Sequence, residues 1–104
     1  MRRQFFVYVL ACADGTFYVG STANLPLRLA QHQTGHDPAA YTYRRRPVRV
    51  AWCAPFPSLG EALARERQLK GWSRAKKMAL ITGDFDLVHD IVATERLRAK
   101  SYRK

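Results

Sequence analysis

Two β-rich runs flank Asp14-Gly15, and this one turn constrains the chain more than any other stretch. Residues 5–12, FFVYVLAC, are rich in Phe, Val and Tyr and too short for a stable helix. Residues 16–22, TFYVGST, form a second run of the same kind. The tight connection between them has two solutions. A two-residue loop of Asp14 and Gly15 pairs Ala13 with Thr16. A three-residue loop puts a type I turn before a left-handed Gly15 in a bulge. A slip of one residue exchanges the faces of a strand. In the first register Tyr8 lies opposite Ser21 and Tyr18 points to the other face. In the second, Tyr8 pairs with Gly20 and Leu10 with Tyr18, so both tyrosines share a face. The second register is the one favoured, because Gly20 opposite Tyr8 leaves room over the ring or lets a ligand approach closely.

The elements after the hairpin announce themselves by their caps. Asn24 caps a helix over Leu25–Thr34, with Pro26 tolerated in its first turn and Gly35 as its stop. Leu25, Leu29 and His32 fall along one side, and Arg28 and His32 are surface neighbours four apart. Residues 35–45 are a polar loop long enough to be functional. Pro47 opens a third strand, Val48–Ala54, which Pro55 and Pro57 end. Ser58 and Glu61 form a capping box for a helix over Leu59–Lys70, closed by Gly71. Its apolar stripe is Leu59, Ala62, Leu63 and Leu69, with Glu66 at the edge. Ser73 caps a further helix over 74–81. Residues 84–97 read as a last helix, and the tail 98–104 is basic.

At 104 residues the chain is expected to form a single domain. A 47% hydrophobic share fits a packed globule. No apolar run approaches the ~20 residues of a membrane span. Met1-Arg2-Arg3 resembles a signal-peptide start, but Asp14-Gly15 soon interrupts the apolar run after it, so the expected compartment is the cytoplasm. Cys12 and Cys53 make neither a disulfide framework nor a tetrahedral zinc site, and both are expected to be buried or half-buried thiols in strands. The net charge of +10 and pI of about 10.3 are extreme for this size. The cations are grouped: Arg44, Arg45 and Arg46 in one run, then Lys70, Arg74, Lys76 and Lys77. Such a field attracts polyanions, nucleic acid above all, though a solvated face would carry the same charge.

Glu66 is the most informative acid. A carboxylate beside an apolar stripe is costly unless it is paired or holds a metal, and Lys70 stands four residues on as a partner. No HExxH, P-loop, GxSxG or paired-cysteine motif suggests another chemistry.

Phe6-Val7-Tyr8, followed ten residues later by Tyr18-Val19-Gly20, resembles the GIY-YIG nuclease family. Arg28 lies ten residues after Tyr18 and His32 four after that, at the family's spacing. Glu66 falls where the family keeps its metal-binding acid. YTYRRRPV and ALARERQLKGWSRAKK look like the small stand-alone bacterial members. The resemblance covers residues 4–82. It implies an α+β fold, a three-stranded antiparallel sheet flanked by helices. It implies catalytic roles for Tyr8, Tyr18, Arg28, His32 and Glu66, with Glu66 binding one Mg2+ or Mn2+ ion. Tyr8, Tyr18 or His32 would position or deprotonate the attacking water, Arg28 would neutralise charge on the phosphate, and Arg44, Arg45, Arg46, Lys70, Arg74, Lys76 and Lys77 would grip the backbone. DNA is expected ahead of RNA. The first motif reads FVY rather than GIY and keeps its tyrosine. The asparagine that many members carry after the acid has no counterpart, since Asn24 is the chain's only one, and Lys76 or Lys77 lies in the corresponding helix. These residues include no appended DNA-binding domain. The expectation is low sequence specificity, a structure-selective substrate or a protein partner that supplies targeting, in a monomer or homodimer.

Overall fold

The computed structural model describes residues 4–83, so the expected helix over 84–97 and the basic tail lie outside the described residues. The described chain divides after Gly71 into two compact units. The first holds β1 (Phe5–Cys12), β2 (Phe17–Thr22), α1 (Leu25–Thr34), a 3-10 turn (Tyr43–Arg45), β3 (Val48–Phe56) and α2 (Leu59–Lys70). The second holds α3 (Arg74–Thr82).

β1 is the central strand of an antiparallel sheet in the order β2-β1-β3. The hairpin takes the three-residue solution. Gly15 has φ 84°, its N–H donates to the Cys12 carbonyl at 3.0 Å, and Cys12 N–H donates to the Thr16 carbonyl at 2.9 Å. Asp14 ties the turn by accepting from Thr16 N–H at 3.1 Å and Thr16 Oγ1 at 2.6 Å. Tyr8 therefore pairs with Gly20 and Leu10 with Tyr18, which places both tyrosines on one face.

That face carries a cluster of buried Tyr8, Leu10, Cys12 and Val48, against which Tyr18, Leu25 and Leu29 pack. Asn24 Oδ1 accepts from Leu27 N–H at 3.1 Å, and left-handed Gly35 closes α1. Val7, Val9 and Val19 alternate onto the opposite face and are buried. α2 touches all three strands and meets Ser21 through Glu66, so it covers this second face.

Three expectations need correction. α2 buries only Ala62 and Leu69, while Leu59 is 50% and Leu63 38% exposed. Its inward line is Ala62–Glu66–Leu69, at i, i+4, i+7, so Glu66 stands within the buried stripe rather than at its edge. β3 continues past Ala54 through Pro55, which pairs with Phe6, to Phe56. It is an edge strand, where a residue without an N–H is tolerated. Cys53 is exposed on that edge strand, whereas Cys12 is buried. β3 also carries an irregularity: Val9 faces Trp52 and Leu10 faces Val50, leaving Ala51 as the extra residue of a bulge.

In the second unit, Ser73 Oγ accepts from Lys76 N–H at 3.3 Å and Gly83 closes the helix at φ 78°. Lys76, Ala79 and Leu80 are buried, and the Lys76 ammonium lies 5.7 Å from the Trp72 ring centroid.

The Tyr8 ring occupies the space that a side chain at residue 20 would need. A Cβ on Gly20 would stand 2.4 Å from Tyr8 Oη and 2.6 Å from its Cζ. Tyr8 is fully buried and has nowhere to move. Gly20→Ala should therefore destabilise the protein by about 1–3 kcal/mol, seen as a lower urea midpoint at unchanged slope.

Candidate active site

β1, β2, α1 and the loop after α1 bring Tyr8, Tyr18, His32 and Thr42 together. Because Gly20 has no side chain, the Tyr8 ring crosses over β2 instead of stopping against it. Its Oη lies 3.0 Å from His32 Nε2, and His32 Nδ1 lies 2.8 Å from Thr42 Oγ1. All three residues are buried. Tyr18 packs beside them, its centroid 6.3 Å from that of Tyr8 and 5.3 Å from that of His32. Arg28, one turn before His32 on α1, is half-buried. A cleft of about 240 Å³ opens here, walled by Tyr18, Arg28, Gln31, His32, Asp37 and Tyr43 among others.

The electrostatics follow from burial. The Tyr8 phenol is pushed up to about 12, by burial first and the neighbouring Tyr18 second, with Arg28 pulling the other way and Glu66 adding to the rise. His32 is held below its ordinary 6.5, by burial first and by Arg28 second. At neutral pH the pair is a protonated phenol and a neutral imidazole. A neutral imidazole has one donor and one acceptor nitrogen, and Tyr8 and Thr42 engage both.

Glu66 joins this group from the other face of the sheet. Its Oε2 accepts from Ser21 Oγ at 2.9 Å, and its Oε1 lies 3.1 Å from Lys70 Nζ. Ser21 follows Gly20 in the chain, so the carboxylate is anchored next to the point where Tyr8 crosses β2. The Glu66 side chain is only 16% exposed and that of Lys70 56%. Among the described residues no three His, Cys, Asp or Glu side chains cluster as a metal site. A metal would have Glu66 as its one protein ligand here, with water and phosphate in the other positions. That set suits Mg2+ or Mn2+, which prefer oxygen ligands and retain water, and does not suit zinc. Lys70 would have to release Oε1, which its exposure permits.

The expected phosphate-gripping cations are placed unevenly. Arg44 is exposed. Arg45 Nη1 donates to the Tyr41 carbonyl at 2.8 Å, and its Nε lies 3.0 Å from Asp14 Oδ2. Arg46 Nε donates to the Tyr43 carbonyl at 2.9 Å, with its guanidinium 4.7 Å from the Tyr43 centroid. Lys70 is paired with Glu66. Arg74, Lys76 and Lys77 belong to the second unit.

Sequence reasoning missed Thr42, Tyr41, Ser21 and Gln33. Gln33 brackets Val48, accepting from its N–H at 3.3 Å and donating to its carbonyl. The available signal was the histidine on the inner side of α1, which needs two polar partners once buried. Its second partner comes from a loop with no periodicity to read.

Replacing Thr42 by Val leaves one buried imidazole nitrogen unpaired, and should cost about 1–3 kcal/mol in denaturant unfolding. The His32 shift carries a pH signature. As pH falls the unfolded chain takes up the proton before the folded protein does. The stabilisation is therefore complete above 6.5 and is lost as pH drops from there through the lower folded value. Thermal melts between about pH 8 and 5 should show Tm falling more steeply for the native sequence than for His32→Gln.

Residues 4–79 match the GIY-YIG catalytic domain family. A UPF0213 protein of Syntrophus aciditrophicus is 45% identical over 76 residues, covering 73% of this chain and 87% of that protein. A UPF0213 protein of Halobacterium salinarum is 46% identical over 74 residues, covering 71% and 95%. The solution NMR structure of a UPF0213 protein from Bacillus halodurans superposes with a TM-score of 0.52 at 37% identity, over 78% of this chain and 85% of that one. Among the described residues no helix is long and apolar enough to cross a membrane. The chain belongs to the GIY-YIG catalytic domain family, a nuclease-type family, and has its three-stranded antiparallel sheet with helices.

Proposed function

We propose that this chain is a metal-dependent endonuclease that hydrolyses DNA phosphodiester bonds with low sequence specificity. The observation that carries the reading is the buried Tyr8–His32–Thr42 chain with Arg28 beside it and Glu66 anchored at the adjoining residue of β2. The buried phenol and imidazole also hold the fold, but Arg28 beside them and Glu66 at the adjoining residue are groups that phosphate hydrolysis needs.

In this reading the Tyr8 hydroxyl donates to His32 Nε2, and His32 Nδ1–H donates to Thr42 Oγ1. Tyr8 Oη has no exposed surface in the resting protein, so substrate binding has to open a path to it from the cleft wall at Tyr18. Tyr8 then takes a proton from the attacking water as its own proton passes to Nε2. A phenol at about 12 is a poor base alone, and the transfer to His32 spares the buried site a free phenolate. The water oxygen attacks phosphorus and the bond to the leaving oxygen breaks. The leaving oxygen takes a proton from solvent water, and His32 hands its extra proton back through Tyr8 to solvent. Arg28 neutralises the charge growing on the phosphate oxygens. Glu66 would hold one Mg2+ or Mn2+ ion, which when bound supplies positive charge to the phosphate and the leaving oxygen. Lys70, once released from Glu66, would be free to meet a phosphate instead. The net charge of +10 draws the polyanion in without reading its sequence.

One observation favours a second reading, a nucleic-acid-binding module: Lys70 already pairs with Glu66 Oε1. Labelled duplex, single-stranded, flap and branched DNA with Mg2+ or Mn2+ separates the two. Cleavage should disappear with EDTA and with Glu66→Ala, and Tyr8→Phe should lower kcat by roughly 10²–10⁴-fold. Absent cleavage with salt-sensitive binding retained would establish the binding module. Equal cleavage by Glu66→Ala and the native sequence would overturn the assignment of the site.

A further inference from the structure

The loop between α1 and β3 is tied to the β1–β2 hairpin through Tyr41 and Arg45, which meet Tyr18 and Asp14. Tyr41 stacks on Tyr18 with ring centroids 5.9 Å apart and planes 24° apart. The Arg45 guanidinium carbon lies 3.8 Å from the Tyr41 centroid. Arg45 is itself held. Its Nη1 donates to the Tyr41 carbonyl at 2.8 Å, its carbonyl accepts from Ala13 N–H at 2.9 Å, and its Nε forms an ion pair with Asp14 at 3.0 Å. The path closes on itself, since Asp14 and Tyr18 belong to one hairpin and Tyr41 and Arg45 to one loop. Between Tyr41 and Arg45 sits Thr42, only 1% exposed and bonded to His32 Nδ1.

We infer that Tyr41 is a positioning residue for the site, and that the Asp14–Arg45 pair is the clamp that sets it. The inference rests on the nuclease reading for its kinetic consequences. The stack fixes the plane of Tyr18, one wall around the Tyr8–His32 pair. The same docking holds the backbone of Thr42, and through it the orientation of the His32 ring. Arg45 suits the task because its guanidinium can cover an aromatic ring while Nη1 donates to a carbonyl and Nε pairs in charge with a carboxylate. Asp14 remains a ready partner at neutral pH, since its hydrogen bonds from Thr16, and then Arg45, hold its carboxyl below the usual carboxylate range. Arg45 thus serves the site from the protein surface, held against Tyr41 and Asp14, rather than as one more hand on the phosphate backbone.

The test compares Tyr41→Ala, Tyr41→Phe and Arg45→Ala in two measurements. The first is steady-state cleavage of a DNA oligonucleotide with Mg2+. Misplacing the site should lower kcat roughly tenfold to a hundredfold in both alanine variants, with KM changed by less than about twofold. Tyr41→Phe keeps the ring and should restore the rate. The second is NMR of the nucleic-acid-free protein. The Tyr18 ring protons and the His32 imidazole resonances should move in both alanine variants and stay in place in Tyr41→Phe. Should Tyr41→Ala fail to fold, Asp14→Asn replaces it, with the same direction expected in both measurements. A higher KM with unchanged kcat and a shallower salt dependence in Arg45→Ala would make Arg45 a phosphate contact and overturn the clamp. Unmoved Tyr18 and His32 resonances in Tyr41→Ala would overturn the positioning role. A native protein that cleaves nothing refutes the nuclease reading, and the NMR comparison then decides the positioning alone.

Discussion

A phenol buried in the central strand is the constraint on which the rest depends. Tyr8 has no exposed surface, so its hydroxyl must find a partner inside the protein or forfeit the hydrogen bonds water would give it. The partner is His32, and a buried imidazole makes the same demand at its second nitrogen, which Thr42 meets. One buried hydroxyl thus sets the rotation of α1 and the path of the loop after it. Gly20 is the counterpart of this demand, because only a missing side chain lets the ring cross β2. Stability and the candidate chemistry draw on the same three groups, so neither changes without the other.

The positive charge does two kinds of work. Summed over the chain it is a field for a polyanion, and its size does not depend on where each cation lies. Taken singly, several cations are already engaged with other groups of the protein: Arg45 with Tyr41 and Asp14, Arg46 with Tyr43, Lys70 with Glu66, and Lys76 over Trp72. A count of lysines and arginines therefore overstates the number of direct phosphate contacts. The arginines in this set use planarity as much as charge, lying over aromatic rings and reaching carbonyls. Glu66 shows the reverse economy. A lone carboxylate inside an apolar stripe is tolerable because Ser21 and Lys70 satisfy both of its oxygens.

Local chemistry was the legible part. Asn24, Ser58 and Ser73 cap the helices that their positions announce, and Gly35 and Gly83 close two of them in the left-handed conformation. The hairpin register was legible because turn geometry and strand register are one choice, and Gly15 at positive φ makes it. The reading of α2 fell short, because its apolar residues admit more than one inward line. Packing chose Ala62–Glu66–Leu69 and left Leu59 and Leu63 largely outside. Cys53 fell short for a related reason: alternation says that a residue faces one side of a sheet, not whether anything covers that side.

Among the described residues, the sequence by itself determined the order of the main strands and helices, the hairpin register and the spacing that carries Tyr8, Tyr18, Arg28, His32 and Glu66. All of these rest on interactions within a few residues, or on a periodicity that a single strand or helix displays. Only the tertiary structure decided that Thr42 holds His32, that Tyr41 stacks on Tyr18, that Ser21 anchors Glu66, and that Arg45 and Arg46 lie over Tyr41 and Tyr43. These are contacts between segments, and most involve a loop, where no repeat in the residues records which way a side chain will point. They are settled when buried polar groups must each find a partner and the packed sheet leaves one arrangement that supplies it.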